Sequence, residues 1–169
     1  SRRDPVPWVL FLLACAERLA FLFGSRDRAW PFPIFYEGDA EAFYNYAQAI
    51  LHGASYDGGI PFHPPGFPLL LAALQTLAGD PARHLLIRAI LGVASAAVPV
   101  MLYILLRGPA GRGAALAAGL LAALSFGLDA LGVSATSEGP YILLTLGLLL
   151  AAIAPAREGR AGIARAAIL

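Results

Sequence analysis

Five apolar runs separated by short polar stretches set the organisation of this chain. The first runs from Pro5 to Gly24 and is interrupted by Glu17-Arg18. The second runs from Gly66 to Leu77, and the third from Ala89 to Leu106 without a charge. The fourth starts at Gly113 and meets its first charge at Asp129. The fifth, Gly139 to Ala156, is again uncharged. Four of these runs are of membrane-spanning length, which predicts spans at about 6–24, 85–106, 113–132 and 139–155, with a further apolar run starting at 161. The second run is too short: twelve helical residues rise about 18 Å, against a hydrocarbon core of about 30 Å. It is therefore expected at the interface, not across the bilayer.

The arginines test that choice. With the second run kept at the surface, Arg2, Arg3, Arg107, Arg112, Arg157, Arg160 and Arg165 all fall on one side, as the positive-inside rule expects of the cytoplasmic face. The segment 25–83 then forms an external loop holding three arginines against six acids: Asp27, Glu37, Asp39, Glu41, Asp57 and Asp80. Asp39 and Glu138 come out on the same external face.

Inside that loop the pattern changes to an amphipathic one. Over Asp39–His52 the residues Phe43, Tyr46, Ala47, Ile50 and Leu51 recur at helical spacing, with Glu41, Asn45, Gln48 and His52 opposite. Gly53 supplies a left-handed stop. Such a helix is expected to lie flat with its apolar face on lipid. Pro64 holds His63 extended, and Pro65 suits the first turn of a second surface helix that Gly79, Asp80 and Pro81 end. Asp57-Gly58-Gly59 makes the turn between the two helices, and Trp30 and Tyr36 are candidate interface anchors.

Composition agrees with this layout. Of 169 residues, 59% are hydrophobic and 14% charged, and the mean hydropathy is +0.69. The apolar content exceeds the roughly 45–50% of a soluble domain, so the class is an all-α, polytopic integral membrane protein. The net charge of +1 and the absence of a basic cluster give no support to nucleic-acid binding. Cys15 stands alone in an apolar run, so neither a disulfide framework nor a cysteine metal site is expected. No cleavable leader is evident, and the first run reads as a retained anchor. The opening at Ser1 and the stop partway into the apolar run from 161 suggest the N-terminal piece of a larger protein.

The candidate chemistry is acidic. Asp39 stands where a helix N-cap belongs, and Asp caps well. It is equally placed to act as a general base or metal ligand at a membrane surface. One carboxylate oxygen can cap while the other works. Glu41 and Glu138 both fall in first helical turns, where an acid complements the helix dipole. An ionisable residue at the mouth of a span is also a functional candidate. Asp129 reads as a solvated loop acid, and Arg18 as a side chain reaching the outer interface. His63 points toward the same external space as Asp39 and is a candidate anion ligand, but no second His stands at zinc-ligand spacing. Arg88, one turn inside its span, either snorkels to lipid phosphate or binds a substrate phosphate.

Taken in order, these motifs resemble the N-terminal part of the GT-C-type glycosyltransferases, notably the protein O-mannosyltransferase and aminoarabinose transferase relatives. The motifs are Glu37-Gly38-Asp39-Ala40-Glu41 opening one surface helix, His63-Pro64-Pro65-Gly66-Phe67-Pro68 opening another, a span beginning at Arg88, an internal turn bounded by Arg107 and Arg112, and Glu138 at the next external mouth. The resemblance covers the chain from Pro5 to about Ala156, and order and spacing carry it, because each motif alone is short. It implies a GT-C-like fold and a bacterial inner-membrane enzyme. That enzyme would move a sugar from a polyprenyl-phosphate carrier to an acceptor (protein, lipid or glycan) on the external, periplasmic face. Asp39 is then the catalytic base, with Glu41 and Glu138 as supporting acids and His63 and Arg88 at the donor phosphate. Membrane lipid is the second implied partner. Some members of the class use a divalent metal, and the sequence does not decide that point. Two departures stand out: His63 replaces the Lys that some relatives carry before Pro-Pro, and Ala40 separates Asp39 from Glu41. The competing readings are a transporter with acids along its pathway and a membrane scaffold without activity.

Overall fold

The computed structural model describes residues 4–25, 39–56, 64–77 and 82–166, without the side chains of 82, 83 and 154–166. The calls on Trp30, Tyr36, His63, the 57–59 turn and the 79–81 stop lie outside the described residues. The fold is all-helical, with no strand among the described residues. In chain order the helices are α1 (Val6–Ser25), α2 (Asp39–His52), α3 (Gly66–Gln75), α4 (Ala82–Ser95), α5 (Ala97–Leu106), α6 (Gly111–Ala123), α7 (Phe126–Val133) and α8 (Glu138–Ala166). Among the described residues, two helices are long and apolar enough to cross a membrane: α1, and the stretch His84–Leu106 that α4 and α5 form together. There are three if the bent pair α6–α7 is one span. The chain is a helical membrane protein.

Local sequence explains where these helices break. Between α4 and α5, Pro99 has no N–H to offer the carbonyl of Ser95, and the ladder is interrupted at Ala96. In place of one straight span over 113–132, α6 and α7 meet at a bend of 56°. Ser125 adopts an extended conformation there, and its hydroxyl accepts from the Leu128 N–H at 3.5 Å, starting a new helix. Gly127 next to it is a poor helix former. At the far end, α8 continues through Arg157, Glu158 and Arg160, beyond its apolar stretch Glu138–Ile153. Arg and Glu are good helix formers, so charge ends the apolar run without ending the helix.

α1 is the hub and packs on α4, α5, α6 and α7. Leu10 meets Tyr103 and Ala115 in one buried cluster, and Ala14 meets Ala96 and Ala123 in another. Small residues let these helices approach closely. At Gly119, a Cβ would lie 2.7 Å from Leu10 Cδ1 and 3.3 Å from the Pro99 carbonyl oxygen, so α6 crosses α1 and α5 with no room for a side chain. Asp4 closes this end of the bundle. Its carboxylate accepts from the Tyr103 hydroxyl at 2.6 Å, the Arg112 guanidinium at 2.9 Å and the Val6 N–H at 3.2 Å. The Tyr103 hydrogen bond chiefly holds its carboxyl below the usual carboxylate range; burial opposes it, and Val6 and the two arginines add smaller lowering effects.

α2 and α3 pack as a pair against α4. The sequence pattern places α2 over Asp39–His52, and the helix has those bounds. Gly53 takes φ +63°, and two backbone bonds close the end: Gly53 N–H to Ile50 at 3.3 Å and Ala54 N–H to Ala49 at 2.8 Å. That is a Schellman stop. The apolar face of α2 does not rest on lipid. Ala40, Phe43 and Ala47 are buried in a cluster with Phe67, Leu71 and Ala72 of α3 and Ile87 and Leu91 of α4. Phe43 meets Phe67 edge to face at 5.2 Å. Two short helices, each with one apolar stripe, bury more surface by covering each other and α4.

Candidate functional site

Asp39 is the first residue of α2, and Asp39 and Glu41 are both exposed in its first turn. Their position follows from the face beneath them, since Ala40 and Phe43 are the buried residues that seat this end of the helix. The same cluster contains Ala135, which is 1% exposed and belongs to the 134–137 connection between α7 and α8. Glu138 opens α8 three residues on, within about 10 Å of chain. The Tyr141 N–H donates to the Ser137 carbonyl at 2.9 Å, closing the first turn of α8. Gly139 lets this turn lie directly on α7: a Cβ there would sit 3.2 Å from the Leu131 carbonyl oxygen. The α2 end and the α8 start are therefore tied to one apolar cluster, and Asp39, Glu41 and Glu138 all stand exposed around it. Among the described residues these three acids make no ion pair. A group able to accept a proton from a bound hydroxyl needs this kind of open carboxylate.

Behind α2 lies a polar network that the sequence pattern does not reveal. Gln48 Nε2 donates to the Tyr44 hydroxyl at 3.2 Å and to Gln75 Oε1. Gln75 is buried. His84 is buried too, with its ring 4.5 Å from that of Tyr44. The one signal for this network is a glutamine inside the apolar run 66–77, on the side of α3 that meets α2.

Two expectations are corrected deeper in the bundle. Arg18 does not reach an interface: it is 0% exposed. Asp129 is not a solvated loop acid but a buried residue of α7, 3.3 Å from Arg18 Nη1. Arg18 Nε also donates to the Ser95 hydroxyl at 2.7 Å, and Nη1 to the Ala14 carbonyl at 3.2 Å. Gly132 makes room for this arrangement. A Cβ there would collide with Ser95 Oγ and lie 3.2 Å from Arg18 Nε. The remaining void between Arg18, Ser95 and Gly132 is about 10 Å³, enough for one water at most. The bend at Ser125 explains the burial of Asp129, because it swings α7 inward toward α1 and α4.

Arg88 forms a second rung near the first. It is 2% exposed and donates through Nε to the Val133 carbonyl at 3.0 Å and through Nη2 to the Ser25 hydroxyl at 3.1 Å. Its guanidinium thereby joins the end of α1, the end of α7 and α4. Val133 is the last residue of α7, so Arg88 also anchors the connection that leads to Glu138. The structure thus gathers Asp39, Glu41 and Glu138 about one apolar cluster and sets Arg88 inside the protein beneath them. No group of three or more metal-ligating side chains occurs among the described residues. Comparison with protein-family models, with curated proteins and with solved structures finds no match to this chain.

Proposed function

We propose that the chain belongs to a membrane glycosyltransferase that moves a sugar from a polyprenyl-phosphate carrier to an acceptor on the external face. One observation carries the reading: the acidic start of α2 and the acidic start of α8, distant in sequence, are anchored to one apolar cluster. A lipid-linked donor brings its own leaving group, so the protein has three tasks: to position the donor, to deprotonate the acceptor and to stabilise the departing phosphate. Asp39 takes the role of base toward the acceptor hydroxyl. Glu41 and Glu138 shape the surrounding surface and orient hydroxyls. His63 remains assigned to the donor phosphate, whereas Arg88, buried and bonded to Val133 and Ser25, acts from beneath through the backbone it holds and does not touch the phosphate. The GT-C-like arrangement of surface helices and spans belongs to this proposal.

The test is sugar transfer by the protein in nanodiscs, wild type against Asp39→Asn, with a panel of polyprenyl-phosphate sugars. A loss of about 10² or more in turnover, with the fold intact, is expected for a missing general base. Equal turnover in the two proteins reduces Asp39 to a helix cap. A second reading, a transporter, draws on the buried Arg18–Asp129 pair beside a broken helix. Solute flux in proteoliposomes, abolished by Asp129→Asn and accompanied by no sugar transfer, would favour it.

A further inference from the structure

At the end of the bundle away from α2, a groove of about 190 Å³ opens between α1 and α5. Pro7, Trp8 and Phe11 of α1 and Ala97 and Val100 of α5 line it, and every exposed lining atom is apolar. It is smaller than the roughly 300–1,000 Å³ of a pocket for a compact small molecule, and its lack of polar atoms gives a polar ligand nothing to bind. The two helices run antiparallel here, with Leu10 beside Tyr103 and Ala14 beside Ala96. The groove therefore follows the axis of the span. Trp8 is 69% exposed at its edge, near the end of α1, where an interfacial aromatic belongs.

Two arginines stand at the head of the groove. Arg107 is seven residues beyond Val100 and ten beyond Ala97, on the same side of the helix and about 10 Å and 15 Å further along it. Arg112 reaches the same point, because Asp4, two residues from the groove-lining start of α1, holds it at 2.9 Å. Asp4 accounts for one negative charge against two positive ones. It lies 3.9 Å from Arg107, and the arginine side chains remain 46% and 69% exposed. Each guanidinium carries five donors. A cationic head above a chain-shaped apolar slot is complementary to an anion that carries a hydrocarbon tail.

We infer that this end of the protein is a binding site for an anionic phospholipid, its phosphate at Arg107 and Arg112 and an acyl chain in the Pro7–Trp8–Phe11–Ala97–Val100 groove. The inference rests on no assumption about sugar transfer. It identifies the occupant by charge: a zwitterionic lipid has the same tail, but its own cation opposes the arginines. It also agrees with the excess of arginine on this side of the chain, where anionic lipid headgroups attract basic residues.

Trp8 serves as the reporter. In a Trp30→Phe background, the protein is placed in vesicles of phosphatidylcholine containing a small fraction of lipid brominated on one acyl chain, either phosphatidylglycerol or phosphatidylcholine. Brominated phosphatidylglycerol is expected to quench Trp8 at about one fifth of the mole fraction that phosphatidylcholine needs, the preference one arginine confers near an anionic headgroup. Arg107→Gln with Arg112→Gln should bring the two lipids to equal quenching. Arg107→Gln alone, which leaves the Asp4–Arg112 contact in place, should reduce the preference and covers the case in which the double variant misfolds. Ala97→Phe, which fills the groove, should lower quenching by both lipids. Equal quenching by the two lipids in the parent protein overturns the proposal. So does a preference that survives removal of both arginines.

Discussion

α7 and the connection that follows it are held by opposite kinds of chemistry. Beyond its C-terminal end, at Ala135, the protein is dry and aliphatic: Ala40, Phe43, Leu71 and Ile87 seat the α7–α8 connection, and the nearby acids are turned out to the surface. Along its body the protein is charged and closed, with Asp129 against Arg18 and the terminal carbonyl of Val133 against Arg88. The contrast separates two uses of charge. Buried ions in a helical bundle must be paired, because the low-dielectric surroundings penalise each one alone by several kcal/mol. Exposed carboxylates are under no such constraint and stay available for a ligand. Here the closed set holds the end of α7 that leads to Glu138.

Substitutions should break this division in a definite order. Arg18→Met has the largest expected effect, about 3–5 kcal/mol of lost stability, because it leaves Asp129 buried without its partner. Arg18→Met combined with Asp129→Leu should recover most of that loss, as measured by thermal or denaturant unfolding in detergent. If the single change costs less than about 1 kcal/mol, Arg18 is not a structural ion. Gly132→Ala comes next, at about 1–3 kcal/mol, since its Cβ would overlap Ser95 and crowd Arg18. Adding Ser95→Gly should relieve it, giving a clear departure from additivity; additive costs would place the clash elsewhere. The smallest effects belong to the exposed set. Asp39→Asn should lose no more than about 0.3–1 kcal/mol of dipole interaction, because Asp39 is exposed in the first turn of α2. Glu138→Gln should lose about 0.3–1 kcal/mol of dipole interaction. A large unfolding penalty for either would make these acids structural and remove the contrast. A small penalty for Asp39→Asn together with lost turnover would sharpen it.

Much of the fold was legible in the chain because its signals are local. The 3.6-residue stripe of Phe43, Ala47 and Ile50 marks α2, and Gly53 marks its end, since a left-handed stop costs little only at glycine. The apolar run that ends at Arg107 marks a span, and Glu138 marks a helix start. The bend between α6 and α7 was harder to read. Ser125 sits in an apolar run that reads as one continuous span, and its capping bond only wins once α7 has partners to face. The candidate site divides in the same way. Asp39, Glu41 and Glu138 were legible as acids at helix starts, while Gln75 gave only the signal of a glutamine in an apolar run and His84 gave none. Arg18 and Asp129 looked like an interface residue and a loop acid because their pairing depends on a helix rotation that no local pattern encodes.

By itself, the sequence determined that the described segments are helical, that two of them are long and apolar enough for a membrane, and where acids begin a helix. Those properties follow from backbone hydrogen bonding and side-chain periodicity within about twenty residues. Only the tertiary structure decided which charges are buried and which are open. The Arg18–Ser95 bond joins residues 77 apart, and the Arg88–Ser25 bond residues 63 apart. The first requires the close approach that Gly132 allows beside Ser95 and Arg18. Whether an arginine faces lipid, water or an aspartate is therefore settled by which helix faces meet, because desolvation depends on everything within a few ångströms and not on the neighbours in sequence.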